Sequence, residues 1–155
     1  MPCWTIIFIG VLIFMDQAVK QLMLSIVFDP PRIIEVTGFF NLVPVWNSGV
    51  SFGLFGNSDA SRWIFIGLAL AVVVALLIWL LRAGNGRVVF ALALVVGGAL
   101  GNIVDRVVYG AVIDFVDIHA FGFHWPAFNL ADSTIVLGTA MLLYDGLFGH
   151  RRSIN

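Results

Sequence analysis

Long apolar runs, separated by short polar stretches, organise this chain. Trp63 to Leu81 is unbroken by any charge. At ~1.5 Å per helical residue it is long enough to cross a hydrocarbon layer of ~30 Å. Arg62 and Arg82 bracket it, and Trp63 and Trp79 fall where aromatics meet a membrane surface. A run from about Trp4 to Val27 is interrupted by Asp16 and Lys20; two more extend from about Val88 to Tyr109 and from about Phe128 to Phe148. Backbone amides in lipid need partners within their own segment, so all four runs are predicted to be helices. The expected spans are 4–27, 63–81, 88–109 and 128–148, within one integral membrane domain covering 1–155.

Composition agrees. The 155 residues are 61% hydrophobic and 11% charged, against about 25% charged in soluble domains. The fold class expected is an all-α membrane protein. A net charge of -1 provides no basic stripe for phosphates and excludes a nucleic-acid partner. The single cysteine, Cys3, offers neither an internal disulfide nor a metal framework. The first run lacks a basic leading region and a small-x-small cleavage site, so it reads as a retained helix rather than a removed leader. Arg82 and Arg87 flank one short connection, and His150, Arg151 and Arg152 follow the last run. By the positive-inside rule these sites, and both termini, are cytoplasmic; Arg32, in an outer loop, counts slightly against this.

Two outer loops remain. The first, about 29–61, holds β-prone runs at Arg32-Ile-Ile-Glu-Val and Phe39-Phe-Asn-Leu-Val-Pro-Val-Trp, broken by Gly38, Gly49, Gly53 and Gly56, so a small sheet on the membrane is expected. The second, about 110–127, carries Asp114, Asp117, His119 and His124. Asp114 stands between Val-Ile and Phe, which suits a strand or turn pressed against the bundle better than a solvated loop. The spacing of Asp117, His119 and His124 matches no strong metal site, and no metal or cofactor is expected.

The polar residues of the spans gather at one depth. Counted from the inner side, Asp16 lies ~18 Å up and Lys20 ~24 Å up; Asn102 lies ~21 Å up, with Asp105 and Arg106 at ~26 Å. Asn129 and Asp132 fall in the first two turns of the last run. Ionisable groups in a span cost at least ~2.5 kcal/mol each, so they should turn inward and meet. Asn102, Asp105 and Arg106 share one helix face, as do Asn129 and Asp132. Gly97-x-x-x-Gly101 permits close helix approach just below them. Plainer roles stay open: Asp16 with Lys20 as a structural ion pair, Asp105 and Arg106 as a tie from helix to loop, and Asn129 as a helix cap with Asp132 favoured there by the dipole. Asp145 reads as interfacial; Asp29, Glu35 and Asp59 read as solvated.

These residues resemble the lipoprotein signal peptidase family, also called signal peptidase II. The resemblance runs through Asp16-Gln-x-x-Lys20, Trp46-Asn47-Ser-Gly49-x-Ser-Phe52-Gly53, Gly98-Ala-Leu-Gly101-Asn102-x-x-Asp105-Arg106, Val112-Ile-Asp114-Phe115 and Phe128-Asn129-Leu-Ala131-Asp132-Ser133. It implies four transmembrane helices with a small periplasmic β-cradle and an outer loop. It also implies an aspartic endopeptidase of the bacterial inner membrane that cuts prolipoproteins before a diacylglyceryl-modified cysteine, near the periplasmic face. Asp114 and Asp132 match the family's catalytic aspartates. Asn47, Asn102, Arg106 and Asn129 match residues that line its site, and Asp16 and Lys20 match supporting positions. Asp105 competes with Asp114 for the pairing with Asp132. The partners implied are the lipid-modified substrate and membrane lipid, with the enzyme acting as a monomer.

Two carboxylates held close cannot both ionise, so one keeps a proton while the other draws one from water. Such a scheme needs no metal. Phe39, Phe40, Trp46, Phe52, Phe55 and Trp125 would seat the loops against headgroups. A serine–lysine pair, Lys20 with Ser48 or Ser51, is the competing chemistry; Ser133 should face away from Asp132. Two other classes compete: a proton- or ion-coupled small transporter and a non-enzymatic scaffold. Transporters place their sites near the midplane between repeated halves, whereas this polar slab is off centre and the halves differ.

Overall fold

The computed structural model describes residues 3–49 and 59–148, with side chains from 62 onward in the second block. Ser51, Phe52, Gly53, Phe55, Gly56, the side chain of Asp59, and His150, Arg151 and Arg152, to which the sequence assigned roles, lie outside the described residues. The order of elements is α1 (Cys3–Ile26), β1 (Ile34–Thr37), β2 (Phe40–Asn47), α2 (Asp59–Arg82), α3 (Gly86–Tyr109), β3 (Val112–Ala120), β4 (Phe123–His124) and α4 (Leu130–Phe148). All four helices are long and apolar enough to cross a membrane.

Burial in α1 is inverted relative to a soluble helix. Its buried residues are Thr5, Asp16, Lys20 and Met23, while Ile6, Ile7, Val11 and Phe14 stand exposed. Only a lipid solvent makes that arrangement favourable, because the apolar face already has its preferred surroundings and the charges do not. The central helix is α3, which buries a nearly continuous run from Ala91 to Gly98 and packs against α1, α2 and α4. Asn85 starts it by accepting a hydrogen bond from Arg87 N at 3.0 Å, and Gly110, at φ 83°, ends it with its N–H on Arg106 O. Asn85 also donates to Asp145, which ties the C-terminal part of α4 to the start of α3.

Glycines set the helix spacing. Gly97 and Gly101 both face α1: a Cβ would lie 2.9 Å from Leu12 Cδ1 at the first and 2.7 Å from Asp16 Oδ2 at the second. The tight α3–α4 seam uses two others. A Cβ on Gly98 would collide with Ala131 O and Thr134 Oγ1, and one on Gly138 would lie 2.6 Å from Ala91 O. Backbone atoms cannot yield as a side-chain tip can.

One end of the bundle carries an antiparallel sheet of order β1-β2-β3-β4. Both outer loops therefore contribute to it, not the first alone: Trp46 pairs with Ile113, and Val45 with Asp114. The register of β2 slips between Leu42 and Val45, around Pro44, which has no N–H for the ladder. Phe121 and Gly122, both at positive φ, make the turn into β4. Ile113 and Phe115 seat the sheet on Met23, Val27 and Phe28 of α1 and the residues after it. The last helix starts at Leu130, slightly later than the apolar run suggests. Phe128 is instead bonded into the sheet, giving its N–H to Val116 O at 3.1 Å and taking that of Val116 at 2.9 Å.

Filling the α3–α4 seam tests this packing. Gly98→Ala and Gly138→Ala are each expected to lower unfolding stability in mixed micelles by about 1–3 kcal/mol. Gly10→Ala, where a Cβ meets nothing within 4 Å, should leave stability unchanged or slightly raised.

Candidate active site

Three helices and two strands bring their polar residues together beneath the sheet. At the bottom lies Lys20, fully buried. Its ammonium is 2.8 Å from Asp16 Oδ2 and 2.7 Å from Asp105 Oδ2, and it donates to Asn102 Oδ1 at 3.0 Å. An ammonium has three protons, so all are used. Gln17, which the sequence reading passed over, bridges the two acids from the side, donating to Asp105 Oδ1 at 2.8 Å and Asp16 Oδ2 at 3.2 Å. Its signal was visible: an amide beside a carboxylate inside a span.

Each of the two acids also accepts a backbone N–H from above. Asp105 Oδ2 accepts from Ile113 N at 3.2 Å, fixing the strand that carries Asp114 one residue later. Asp16 Oδ1 accepts from Ala131 N at 3.0 Å, fixing the helix that carries Asp132 one residue later. Asp105 therefore holds β3 rather than facing Asp132. Lys20 spends its contacts on Asp16, Asp105 and Asn102 and makes none with a hydroxyl among the described residues; Ser133 donates to Asn129 O, and Ser51 lies outside the described residues.

Asp114 and Asp132 are joined through amides. Asn129 Nδ2 donates to Asp114 Oδ1 at 2.7 Å, and Asn129 N donates to Asp132 Oδ2 at 3.2 Å. Asn129 Oδ1 accepts from Asp132 N at 2.9 Å. Asn129 and Asp132 thus form a reciprocal capping box at the start of α4, and the same cap serves the acid pair. Asn47 Nδ2 donates to Asp114 Oδ2 at 2.9 Å, and Asn102 Nδ2 donates to Asp132 Oδ1 at 2.7 Å. Asn102 has no freedom to flip: Lys20 can only donate, so the oxygen must face it and the nitrogen must face Asp132.

Asp114 is buried, and that burial raises its pKa to about 6. The charge of Asp132 pushes the same way, while the bonds from Asn47 and Asn129 and the charge of Lys20 pull down. Asp132 is half-buried and sits at the end of a groove of about 680 Å³ along α4, between Trp125 and Phe128 on one side and Val136, Leu137 and Ala140 on the other. Arg106, in the last turn of α3, is half-buried, and its Nε has no hydrogen-bond partner among the described residues. Asp117 and His124 bond to each other, away from this cluster.

The geometry is that of a membrane bundle with two amide-bridged carboxylates under a small sheet, and comparison with known proteins gives its family. Residues 8–148 match the family model described as signal peptidase (SPase) II. A lipoprotein signal peptidase of Methylobacterium sp. (strain 4-46) is 46% identical over 140 residues, covering 89% of this chain and 85% of the relative. One of Ralstonia nicotianae is 44% identical over 143 residues, covering 90% and 82%. Two solved bacterial membrane enzyme structures, obtained by the in meso method at 2.3 and 1.9 Å, superpose with TM-scores of 0.80 and 0.82 at 26% and 28% identity; they cover 96% and 93% of this chain and 90% and 92% of theirs. The chain belongs to the signal peptidase II family.

Removing the buried cation tests the scaffold. Lys20→Met leaves Asp16 and Asp105 buried without their counter-charge and is expected to lower stability by about 3–5 kcal/mol. Adding Asp105→Leu to it should recover part of that loss in the same unfolding assay.

Proposed function

We propose that this chain removes signal peptides from prolipoproteins, cleaving before the diacylglyceryl-modified cysteine, with Asp114 and Asp132 as an aspartic catalytic pair. The observation that carries the reading is the bridge through Asn129, whose side-chain amide holds the Asp114 carboxylate from the sheet and whose backbone N–H holds the Asp132 carboxylate from α4. Asp114, with a pKa of about 6, keeps its proton well above the usual carboxylate range. Asp132, open to the groove, takes a proton from water as that water attacks the scissile carbonyl, and Asp114 donates to the carbonyl oxygen or departing nitrogen. The four amide donors stabilise negative charge on the pair, offsetting part of what burial and mutual repulsion impose.

Arg106, with Asn47, Asn102 and Asn129, lines the peptide path, and the Arg106 guanidinium offers donors to substrate carbonyls. Asp16, Lys20 and Asp105 support from below. The site lies near the periplasmic face of the inner membrane, with both termini cytoplasmic, and the enzyme acts as a monomer on substrate delivered through lipid. A lipidated cysteine is anchored at that surface, so the scissile bond and the acid pair meet at the same depth.

Reconstituted protein with a diacylglyceryl-modified prolipoprotein tests this. Asp114→Asn and Asp132→Asn are each expected to reduce cleavage by about 10²–10⁴-fold. Cleavage that survives either change, or that is lost only with Asp105→Asn, contradicts the assignment. The pH profile adds a second test. The form with Asp114 protonated is the active one, so kcat/KM should fall as pH rises through an apparent pKa near 6. Asn47 favours the ionised form of Asp114, so Asn47→Ala should move that limb to higher pH.

A further inference from the structure

A second polar cluster lies on the same strand as Asp114 and takes no part in the acid pair. The Asp117 carboxylate is buried. Asn41 Nδ2 of β2 donates to its Oδ2 at 2.9 Å, and His124 Nδ1 of β4 lies 2.9 Å from Oδ1. Burial pushes this carboxyl up, but the bonds from His124 and Asn41 and the charges of His124 and His119 outweigh it and hold it below the usual carboxylate range. An ionised carboxylate only accepts, so the shared proton belongs to His124 Nδ1. His119 stacks on the His124 ring with centroids 4.8 Å apart.

This clamp stands at the root of the segment that returns from β4 to α4. Trp125 N donates to Ile118 O at 2.8 Å and Phe128 N to Val116 O, while Pro126 between them has no N–H. The two backbone bonds and the side-chain bond at His124 thus set how far the segment stands from β3. Its other side is the wall of the groove that ends at Asp132.

The groove runs ~12 Å along α4 from Asp132 to Ala140. Apart from Asp132 and Ser133 its lining is apolar or backbone. Val136 and Leu137 are 68% and 54% exposed on a membrane-spanning helix, so the groove is continuous with the lipid-facing surface. A peptide laid in it would leave amides facing an apolar wall, at a desolvation penalty. A hydrocarbon chain would not.

We propose that this groove holds one acyl chain of the lipid on the substrate cysteine, and that the Asn41–Asp117–His124 clamp fixes its width, making Asp117 and His124 positioning residues for substrate binding. The inference rests on the substrate reading above.

Steady-state kinetics of the full chain on two prolipoprotein peptides, one with long acyl chains and one with short chains, test it. His124→Ala is expected to raise KM for the long-chain substrate about tenfold, the size of a lost apolar contact in a pocket. The kcat should be unchanged and the short-chain KM nearly so. His124→Asn, whose amide nitrogen takes the place of Nδ1, should restore the wild-type KM. Trp125→Ala should give the same rise with the clamp intact, and the double variant should add nothing further. An equal KM rise for both substrates, a fall in kcat, no rescue by Asn, or additive effects would overturn the proposal. Variants indistinguishable from an active wild type sink this inference alone; a wild type that cuts neither substrate sinks the substrate reading with it.

Discussion

The structure depends on one buried ammonium. Lys20 sits where lipid surrounds the bundle, and its charge is tolerable there only because Asp16, Asp105 and Asn102 take all three of its protons. Each acid spends its remaining capacity on a backbone N–H of an element that carries the site: Asp105 on Ile113 of β3, Asp16 on Ala131 of α4. A single charge on α1 therefore fixes two elements far apart in sequence, and each holds one member of the acid pair at the next residue.

Direction then propagates upward through donors and acceptors. Because Lys20 cannot accept, the Asn102 oxygen turns down and its nitrogen turns to Asp132. Because Asn129 caps α4 with its oxygen, its nitrogen turns to Asp114. Each amide has one arrangement that satisfies its neighbours, so the site is preorganised before any substrate arrives. The glycines at 98 and 138 allow this by letting α4 approach α3 backbone to backbone.

Much of this was legible in the sequence because lipid penalises polar residues so heavily. Charges at Asp16, Lys20, Asp105 and Asp132 had to face inward, and helical rise placed them at one depth. That argument could not say which acid pairs with which, since depth carries no azimuth; hence Asp105 and Asp114 stood equal on depth alone, and the bond from Ile113 N to Asp105 was beyond its reach. The joining of both loops into one sheet was also hidden, because pairing of β2 with β3 is a long-range choice that neither strand's pattern declares. Asn41 is one polar residue in a β-prone apolar run, and the Asp117–His124 bond depends on a two-residue β4 too short to read. Gly98 entered only as a motif position and Gly138 not at all, because their packing role lies in the backbone of the opposite helix.

The central claim is that burial and the charge of Asp132 beside it hold the Asp114 carboxyl above the usual carboxylate range. Infrared spectroscopy of the protonated-carboxyl band, followed against pH in wild type and in Asp132→Asn, measures this directly. The account predicts a band lost near pH 6 in wild type, with the Asp114 pKa at about 6, and a midpoint moved to lower pH in the variant, because the neighbouring negative charge is gone. A midpoint that stays in place when Asp132 is neutralised would contradict it.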